Sequence, residues 1–595
     1  MPLNRNPYLV NKAIRSFIFA SVLTAALQQL IHFVNSIVLG QLVSPDAVSV
    51  ISLVSPLMMI PLMMTMLFAI GASVVASKAI GERNNEKVGE VFTVSLITAV
   101  GASFLFSMAG FLFGGQLARA VCNDPRLLPL LNDYLPFALG LSFVTVLFQS
   151  LCLFMGVEGK PALVSYVMIG SLLMIAGLDV LFIQVFNMGI RAVPVATVCT
   201  HTIASIWLIV CFRRGNTVYR LRLTSQWTSR LKENVENGYP FMLGILVTAV
   251  YTLLLNSMVM KWQGADGLFA LSITIMLILL ANIFCNATKS TFRAIGGMLY
   301  GQKDYVGLQF LYRRLMRIVV VASVITMLIG ELLAPQIAQL YGCEDPALLS
   351  LTVKRLRIFL LMIISFMPIL FLPASYQLMG YNKLVVFTIF IVNVLNLIGI
   401  ALICNLGYAS QLWWSFPLSS LLGGAVVLLL ASRKRRRLSD AVPVSLLPMP
   451  SEDDARLDIS VGCSRETVIQ ALGEIHAFAD KQRLPSDMAY HIDVCTEELL
   501  GNIVDHGGIT SNHFIDVAIN HADDETIVTV KDDGKPFNPV KFRREAQQKA
   551  NGATTALSPE SRLGIAIVSG LCQEMDYKYM YGQNMTFLTF KSVLK

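Results

Sequence analysis

The chain has 595 residues, of which 55% are hydrophobic and only 14% charged. That is far from the composition of a soluble globular protein, and the length predicts several domains. The formal net charge of +8 sits mostly in loops between apolar runs. It reads as membrane topology and contact with the lipid bilayer, with no role in binding nucleic acid. The ten cysteines are scattered, with no CxxC pair and no metal-ligand spacing.

A crossing of the hydrocarbon core takes roughly 20 apolar residues. By that measure about twelve spans are predicted, near 16-39, 48-75, 91-114, 131-155, 162-187, 192-212, 238-260, 267-287, 316-339, 355-378, 384-405 and 411-431. The first is too long for a cleavable signal peptide and lacks its small-residue cleavage site. Basic residues mark alternate connections. Arg5, Lys12, Arg15, Lys78, Arg83, Lys87, Lys160, the arginines of the 213-232 loop, Arg313, Arg314, Arg317, Lys383 and the Arg433-Lys434-Arg435-Arg436-Arg437 run all fall on one side. The positive-inside rule then predicts a multi-pass membrane protein with both termini cytoplasmic.

The membrane part repeats itself. Cys122-Asn123-Asp124-Pro125-Arg126-Leu127-Leu128 returns as Cys343-Glu344-Asp345-Pro346-Ala347-Leu348-Leu349. Val88-Gly89 with Phe92 returns as Val306-Gly307 with Phe310, and Met155-Gly156 before Lys160 as Met379-Gly380 before Lys383. Six spans separate the copies, which predicts two like halves of the same orientation. The Asp-Pro pairs suit helix starts. Cys122 and Cys343 are read as residues beside these caps rather than as a disulfide.

Phe33-Val34-Asn35-Ser36-Ile37-Val38-Leu39-Gly40, then Ala69-Ile70-Gly71-Ala72-Ser73, Ala79-Ile80-Gly81-Glu82, Gly177-Leu178-Asp179 and Gly238-Tyr239-Pro240 together resemble the multidrug and toxic compound extrusion (MATE) family over about residues 10-432. The resemblance implies an all-α polytopic domain of two six-helix bundles. It also implies export of small organic substrates by alternating access, coupled to Na⁺ or H⁺. Many family members have Asp in the first span where this chain has Asn35. Asp179 in the fifth span is retained, and an intramembrane carboxyl is a functional candidate by default. His32 lies one turn before Asn35 on the same helical face. It is read equally as a proton carrier or as a packed histidine. A lipid-linked saccharide flippase is an alternative within the same superfamily. The scarcity of Arg and Lys in the spans counts against it.

Residues 433-455 read as basic cluster and linker, with Pro448 and Pro450 near acidic Glu452-Asp453-Asp454. The halves before it are placed at about 10-213 and 236-432, the soluble domain at 456-595. In the soluble part the pattern predicts a strand at 456-461, a helix from Ser464 to Asp480 and a helix from Ser486, its N-cap, to His506. Strands follow at 514-520 and 526-531, a helix starts at Gly564, and a hairpin turns at Gly582-Gln583-Asn584.

Glu498, Asn502 and His506 repeat every fourth residue, on one helix face. An amide oxygen suits Mg²⁺, and a carboxylate one turn away suits a general base. Val530-Lys531-Asp532-Asp533-Gly534-Lys535-Pro536-Phe537 carries a carboxylate from a strand end into a turn. Leu563-Gly564-Ile565 is predicted to open a helix, whose free N–H groups favour phosphate. In this order the motifs resemble the GHKL ATPases, an α+β sandwich, and in particular the anti-sigma-factor serine kinases. The resemblance implies ATP and Mg²⁺ as cofactors. It makes Glu498 the base, Asn502 the metal ligand, Asp532 the adenine partner and Gly564 the phosphate-loop glycine, with His506, Gly534 and Pro536 completing the boxes. Arg562 stands where the second glycine box usually has Gly, so binding and turnover are separate expectations. With no Walker A loop, the domain is expected to regulate the transporter or to signal from it. The rival is a membrane-tethered serine/threonine kinase or nucleotide sensor, acting on a protein phospho-acceptor, STAS-like or other, with the membrane part as ligand sensor.

Overall fold

The computed structural model describes residues 3, 5-43, 45-121, 126-214, 217-340, 346-436, 443-444, 447-448, 455-508, 510, 512-522, 525-542 and 559-591. Cys122, Cys343 and most of the 433-455 linker lie outside these residues.

The first half comprises α1 (Tyr8–Leu42), α2 (Pro45–Met64), a π-helical turn (Thr65–Ile70), α3 (Gly71–Gly81), α4 (Asn85–Val121), α5 (Leu127–Gly140), α6 (Ser142–Val157), α7 (Pro161–Gln184) and α8 (Ala192–Arg214). The second comprises α9 (Trp227–Thr291), a π-helical turn (Phe292–Gly296), α10 (Gly297–Gly301), α11 (Tyr305–Leu340), α12 (Pro346–Leu360), α13 (Met362–Leu378), α14 (Asn382–Asn405) and α15 (Ser415–Arg436). The backbone leaves helical geometry at Gly264 (φ 65°), so α9 is two spans in series. Among the described residues, eleven helices are long and apolar enough to cross a bilayer, and α5 with α6, bent by 44°, make a twelfth if counted as one span. Large apolar side chains such as Phe111, Leu112, Leu332 and Leu421 face outward, as lipid contact requires.

The duplication extends to the turns. Arg83 and Lys303 both have positive φ, 60° and 58°. In the following residue, Asn84 Oδ1 accepts from the Lys87 amide at 2.9 Å and Asp304 Oδ1 from the Gly307 amide at 2.8 Å. Each half thus caps its next helix with the same device, but only the second uses a charged residue.

The soluble domain is an antiparallel sheet with helices on one face. Its elements are β1 (Arg456–Gly462), α16 (Arg465–Lys481), α17 (Ser486–His506), β2 (Phe514–Ala522), β3 (Glu525–Asp532), α18 (Pro559–Leu571), β4 (Glu574–Met580) and β5 (Gln583–Lys591). The strand order is β1-β2-β3-β5-β4. Alternation sends Ile459, Val461, Val517, Val528, Val530 and Leu588 toward Ile475, Ile492, Leu499 and Val568 of the helices. Ser464 caps α16, accepting from the Thr467 amide. Three local expectations need correction. Pro485, not Ser486, is the N-cap of α17, since proline's fixed φ suits the residue before the first turn. Helix α18 starts at Pro559, five residues before Gly564, as proline at a first helical position favours. The hairpin loop is Tyr581-Gly582, both at positive φ (56° and 75°), with Met580 paired to Gln583.

The other face of the sheet is also buried, against the membrane domain. Asp516 and Lys531 point from it, 2% and 3% exposed. Arg5, from the segment preceding α1, donates to Asp304 at 2.8 Å and pairs with Asp516. Lys531 reaches Asp304 at 3.3 Å, and Arg456 donates to the Gln302 carbonyl at 2.5 Å. Burial would raise the Asp304 carboxyl, but Arg5, Lys531 and Arg456 together hold it well below the usual carboxylate range. Lys531 is pushed down by burial, against the pull of Asp304. Flanking contacts seal the edge: Arg83 donates to Thr589 at 2.9 Å, Lys578 to Asn85 at 3.0 Å, and the Leu3 amide to Glu474 at 2.6 Å.

Removing one partner from a buried ion cluster leaves a desolvated charge unmatched, at a cost of about 3–5 kcal/mol. Arg5→Ala is therefore expected to release the soluble domain from the membrane domain while leaving each folded. Limited proteolysis of the detergent-solubilised protein checks this, with new cleavage between α15 and β1 and around residues 3-8 as the expected result.

Candidate functional site

Two sites emerge, one in each part. In the soluble domain, α17 is the organising element. Glu497 faces solvent while Glu498 and Asn502 turn inward and are half-buried. Both converge on Gly564 of α18: a Cβ there would stand 2.2 Å from Glu498 Oε2 and 3.4 Å from Asn502 Nδ2. Only glycine lets α18 approach that closely. Gly564 therefore does not open the helix as expected. It lies in the second turn of α18, so its amide is not among the free N–H groups of the helix start. What it provides is proximity to the carboxylate.

The C-terminal end of α17 meets the β3 turn. A Cβ at Gly534 would be 2.6 Å from the Gly507 carbonyl, and the Lys535 amide donates to that same carbonyl at 3.0 Å. Asp532 Oδ1 accepts from the Gly534 amide and from Asn584 Nδ2, both at 2.8 Å. Burial pushes the Asp532 carboxyl up, partly offset by these hydrogen bonds. Asn584 is itself fully engaged. Its Oδ1 accepts from Tyr577 Oη at 2.7 Å and from the Phe537 amide at 3.3 Å, and Nδ2 also reaches the Lys535 carbonyl at 3.2 Å. Pro536 continues the turn, and His506 is exposed at the end of α17.

The donor set suits a nucleotide with a divalent cation. The Asn502 amide is buried with Nδ2 unpartnered among the described residues, so a ligand can complete its bonding. Asn502 supplies a hard oxygen, Glu498 a carboxylate beside it, and Asp532 Oδ2 an acceptor for an exocyclic amine.

Sequence reasoning missed several neighbours. Asn584 has no local signature. Asp533 resembles any turn carboxylate, yet it accepts from Tyr8 Oη at 2.8 Å, from His513 Nδ1 at 2.9 Å and from Lys12. Burial raises the Asp533 carboxyl, but the hydrogen bonds from Lys12, His513 and Tyr8 outweigh it and pull the group below its ordinary value. Tyr8 and Lys12 belong to α1, so the membrane domain reaches one residue from Asp532.

In the first half of the membrane domain, Asp179 on α7 is fully buried. Neither of its carboxylate oxygens has a partner among the described residues. Asn35 Oδ1 on α1, Ser171 Oγ on α7, and Thr200 Oγ1 and Ser205 Oγ on α8 are likewise unpartnered, and α7 packs on both α1 and α8. His32 falls within α1, but its side chain lies outside the described residues. A histidine the sequence did not single out, His201, is stacked on Phe148 and bonded to Thr145 at 3.1 Å.

Comparison with known proteins places both parts. Residues 20–181 and 240–402, more than half of the chain, match the MatE family. Residues 464–590 match the histidine kinase-like ATPase domain. Multidrug export protein MepA of Staphylococcus haemolyticus (strain JCSC1435) is 22% identical over 247 residues, 41% of this chain and 55% of that protein. The chain thus spans about half the length of the curated relatives it matches. Among solved structures, a MOP superfamily transporter from Pyrococcus furiosus superposes with TM-score 0.64 at 19% identity, over 72% of this chain and 98% of the other. An outward-facing MATE family transporter does so at 0.64 and 20% identity, over 70% and 94%. At these identities the superpositions establish the fold.

Gly564→Ala should leave the fold intact, because the group in its way is the far end of a flexible side chain. It should instead push the Glu498 carboxylate aside at a cost of about 1–2 kcal/mol. Thermal unfolding of the full-length protein, compared with the Glu498→Ala/Gly564→Ala double variant, measures this. The second substitution should recover most of the loss.

Proposed function

The chain belongs to the MatE family and carries a histidine kinase-like ATPase domain; on that premise we propose that it exports small organic compounds across a bacterial inner membrane by ion-coupled alternating access, under control of ATP bound to the soluble domain. The transporter occupies 1-432, the linker 433-455 and the ATPase domain 456-595, with the docked side and both termini cytoplasmic. The observation that carries the transport reading is Asp179, a carboxyl with both oxygens unpartnered inside a helical bundle. Such a group awaits an ion or proton, since a buried charge without a partner is costly. Asn35 contributes an amide oxygen where many relatives have a second carboxylate, so Asp179 carries the charge of the site.

For the soluble domain, convergence of Glu498 and Asn502 on Gly564, with Asp532 at the other end of α17, supports ATP with Mg²⁺. Asn502 would hold the metal and Asp532 the adenine amino group. Bound Mg²⁺ supplies charge neutralisation for the phosphates. Glu498 would accept the proton of an attacking hydroxyl, from water or from a serine of a partner protein in the manner of the anti-sigma-factor kinases. Burial of Ser460, Asp516, Lys531 and Phe587 on the sheet face turned to the transporter favours regulation of the transporter over signalling to a distant partner.

Calorimetry on the full-length protein in detergent tests the nucleotide site. Asp532→Asn and Asn502→Ala should each weaken Mg·ATP binding. Glu498→Ala should retain affinity and lose turnover by about 10²–10⁴-fold. Unchanged affinity in both binding variants refutes the assignment.

Asp179→Asn should abolish gradient-driven export in proteoliposomes while the protein remains folded in the membrane. Export at the wild-type rate by that variant would move the coupling site elsewhere.

A further inference from the structure

The β4–β5 hairpin does more than complete a sheet. Its loop residue Tyr581 is 3% exposed, although it leads the soluble domain into the transporter. The Tyr581 hydroxyl lies 3.0 Å from the Val157 carbonyl at the end of α6 and 3.1 Å from the Ala294 carbonyl. Val157 belongs to the first half and Ala294 to the second, so a single proton is shared between the two halves. The ring packs edge-on against Phe17 of α1, with centroids 5.8 Å apart, and Ser16 donates to the Tyr581 carbonyl at 3.3 Å. A bulky residue at φ 56° is conformationally costly; here the cost directs the ring between the two halves.

At the same level the halves touch directly. A Cβ on Gly297 of α10 would stand 1.9 Å from Ser77 Oγ of α3. One continuous apolar cluster unites Ala76 and Phe154 of the first half, Ile295 and Met298 of the second, and Met580, Tyr581, Met585 and Phe587 of the hairpin. Two smaller clusters each stay within one half, around Leu131 and Leu135 in the first and around Trp413 and Phe416 in the second. The transporter is therefore closed on the side where the hairpin enters.

Two short routes connect this plug to the nucleotide site. Gln583, two residues beyond Tyr581, donates to the Leu9 carbonyl of α1 at 2.6 Å, and its neighbour Asn584 holds Asp532 Oδ1. On the other route, Asp533 beside Asp532 holds Tyr8 and Lys12, one turn along the same helix. With Oδ1 occupied by Asn584, Asp532 has Oδ2 left for an adenine amino group. A donor there fixes the carboxylate in the orientation that fixes Asn584 and the hairpin.

We infer that the β4–β5 hairpin is a latch across the two halves of the transporter, and that an adenine nucleotide held at Asp532 locks it through Asn584 and Asp533. The nucleotide half of this inference rests on the ATP reading above; the latch itself does not. Binding and docking are then reciprocally linked: the transporter turns toward the latched side only when the hairpin withdraws, and ATP makes withdrawal rarer.

Hydrogen exchange of the full-length protein in lipid nanodiscs tests both parts. Without nucleotide, Tyr581→Ala should speed amide exchange in α3 and α10 roughly tenfold, because a buried hydrogen bond and the packing of its ring are lost together. Tyr581→Phe, which keeps the ring and the hairpin fold, should fall between. Adding Mg·ATP to the wild type should slow exchange in α3, α10 and residues 577-586. Gln583→Ala should still bind ATP, weakened by no more than the lost linkage, and lose most of that slowing. Unchanged exchange in Tyr581→Ala overturns the latch. ATP that binds, by calorimetry on the same sample, and leaves wild-type exchange unchanged or faster overturns the lock. Failure of ATP to bind at all overturns the lock together with the nucleotide reading, and Tyr581→Ala still decides the latch.

Discussion

A buried cluster of charges determines how the two parts of this protein fit together. Asp304 is fully buried between Arg5 and Lys531, and Asp516 pairs with the same arginine. Ions removed from water are tolerated only when matched and hydrogen-bonded. These four come from the segment before α1, the turn before α11, and two neighbouring strands of the soluble domain, so no single part of the chain can satisfy them. The docked arrangement is the one in which their charges are paired.

That constraint explains why the sheet has two unlike buried faces. One carries aliphatic side chains against α16, α17 and α18 and would form a core in any context. The other carries Ser460, Asp516 and Lys531 alternating with them, a pattern that in an isolated domain would face water. Here Ser460 accepts from the Asn6 amide at 2.8 Å and donates to Asp516 at 2.6 Å, so the polar face is matched to a polar surface. The membrane domain supplies the complement through an asymmetry between its repeats: Asn84 and Asp304 perform the same capping duty, and only the second half brings a charge to it.

The same docking places the start of α1 against the turn that carries Asp532 and Asp533. In the first half α1 also packs on α7, the helix of Asp179. One helix thus touches the turn of Asp532 and Asp533 at its first residues and the helix of Asp179 further along. Under the proposed function, α1 is the packed element that connects the two.

The elements were legible along the chain. Apolar runs of bilayer length, the alternation of basic loops and the recurrence of Val88-Gly89 as Val306-Gly307 follow from local solvent matching, which each segment expresses alone. The strands and helices of the soluble domain, with Glu498, Asn502 and Asp532 on them, were legible for the same reason: period and turn chemistry are written within a few residues. Tertiary structure decided what those residues meet. That Gly564 crowds Glu498 rather than opening a helix depends on the approach of α18 to α17. That Asn584 holds Asp532 depends on β5 lying beside β3. That Tyr581 enters the seam between the halves depends on docking across more than 280 residues of chain. Lys531 and Asp516 alternate with apolar residues along their strands, and alternation records which face a side chain takes, not what lies opposite that face.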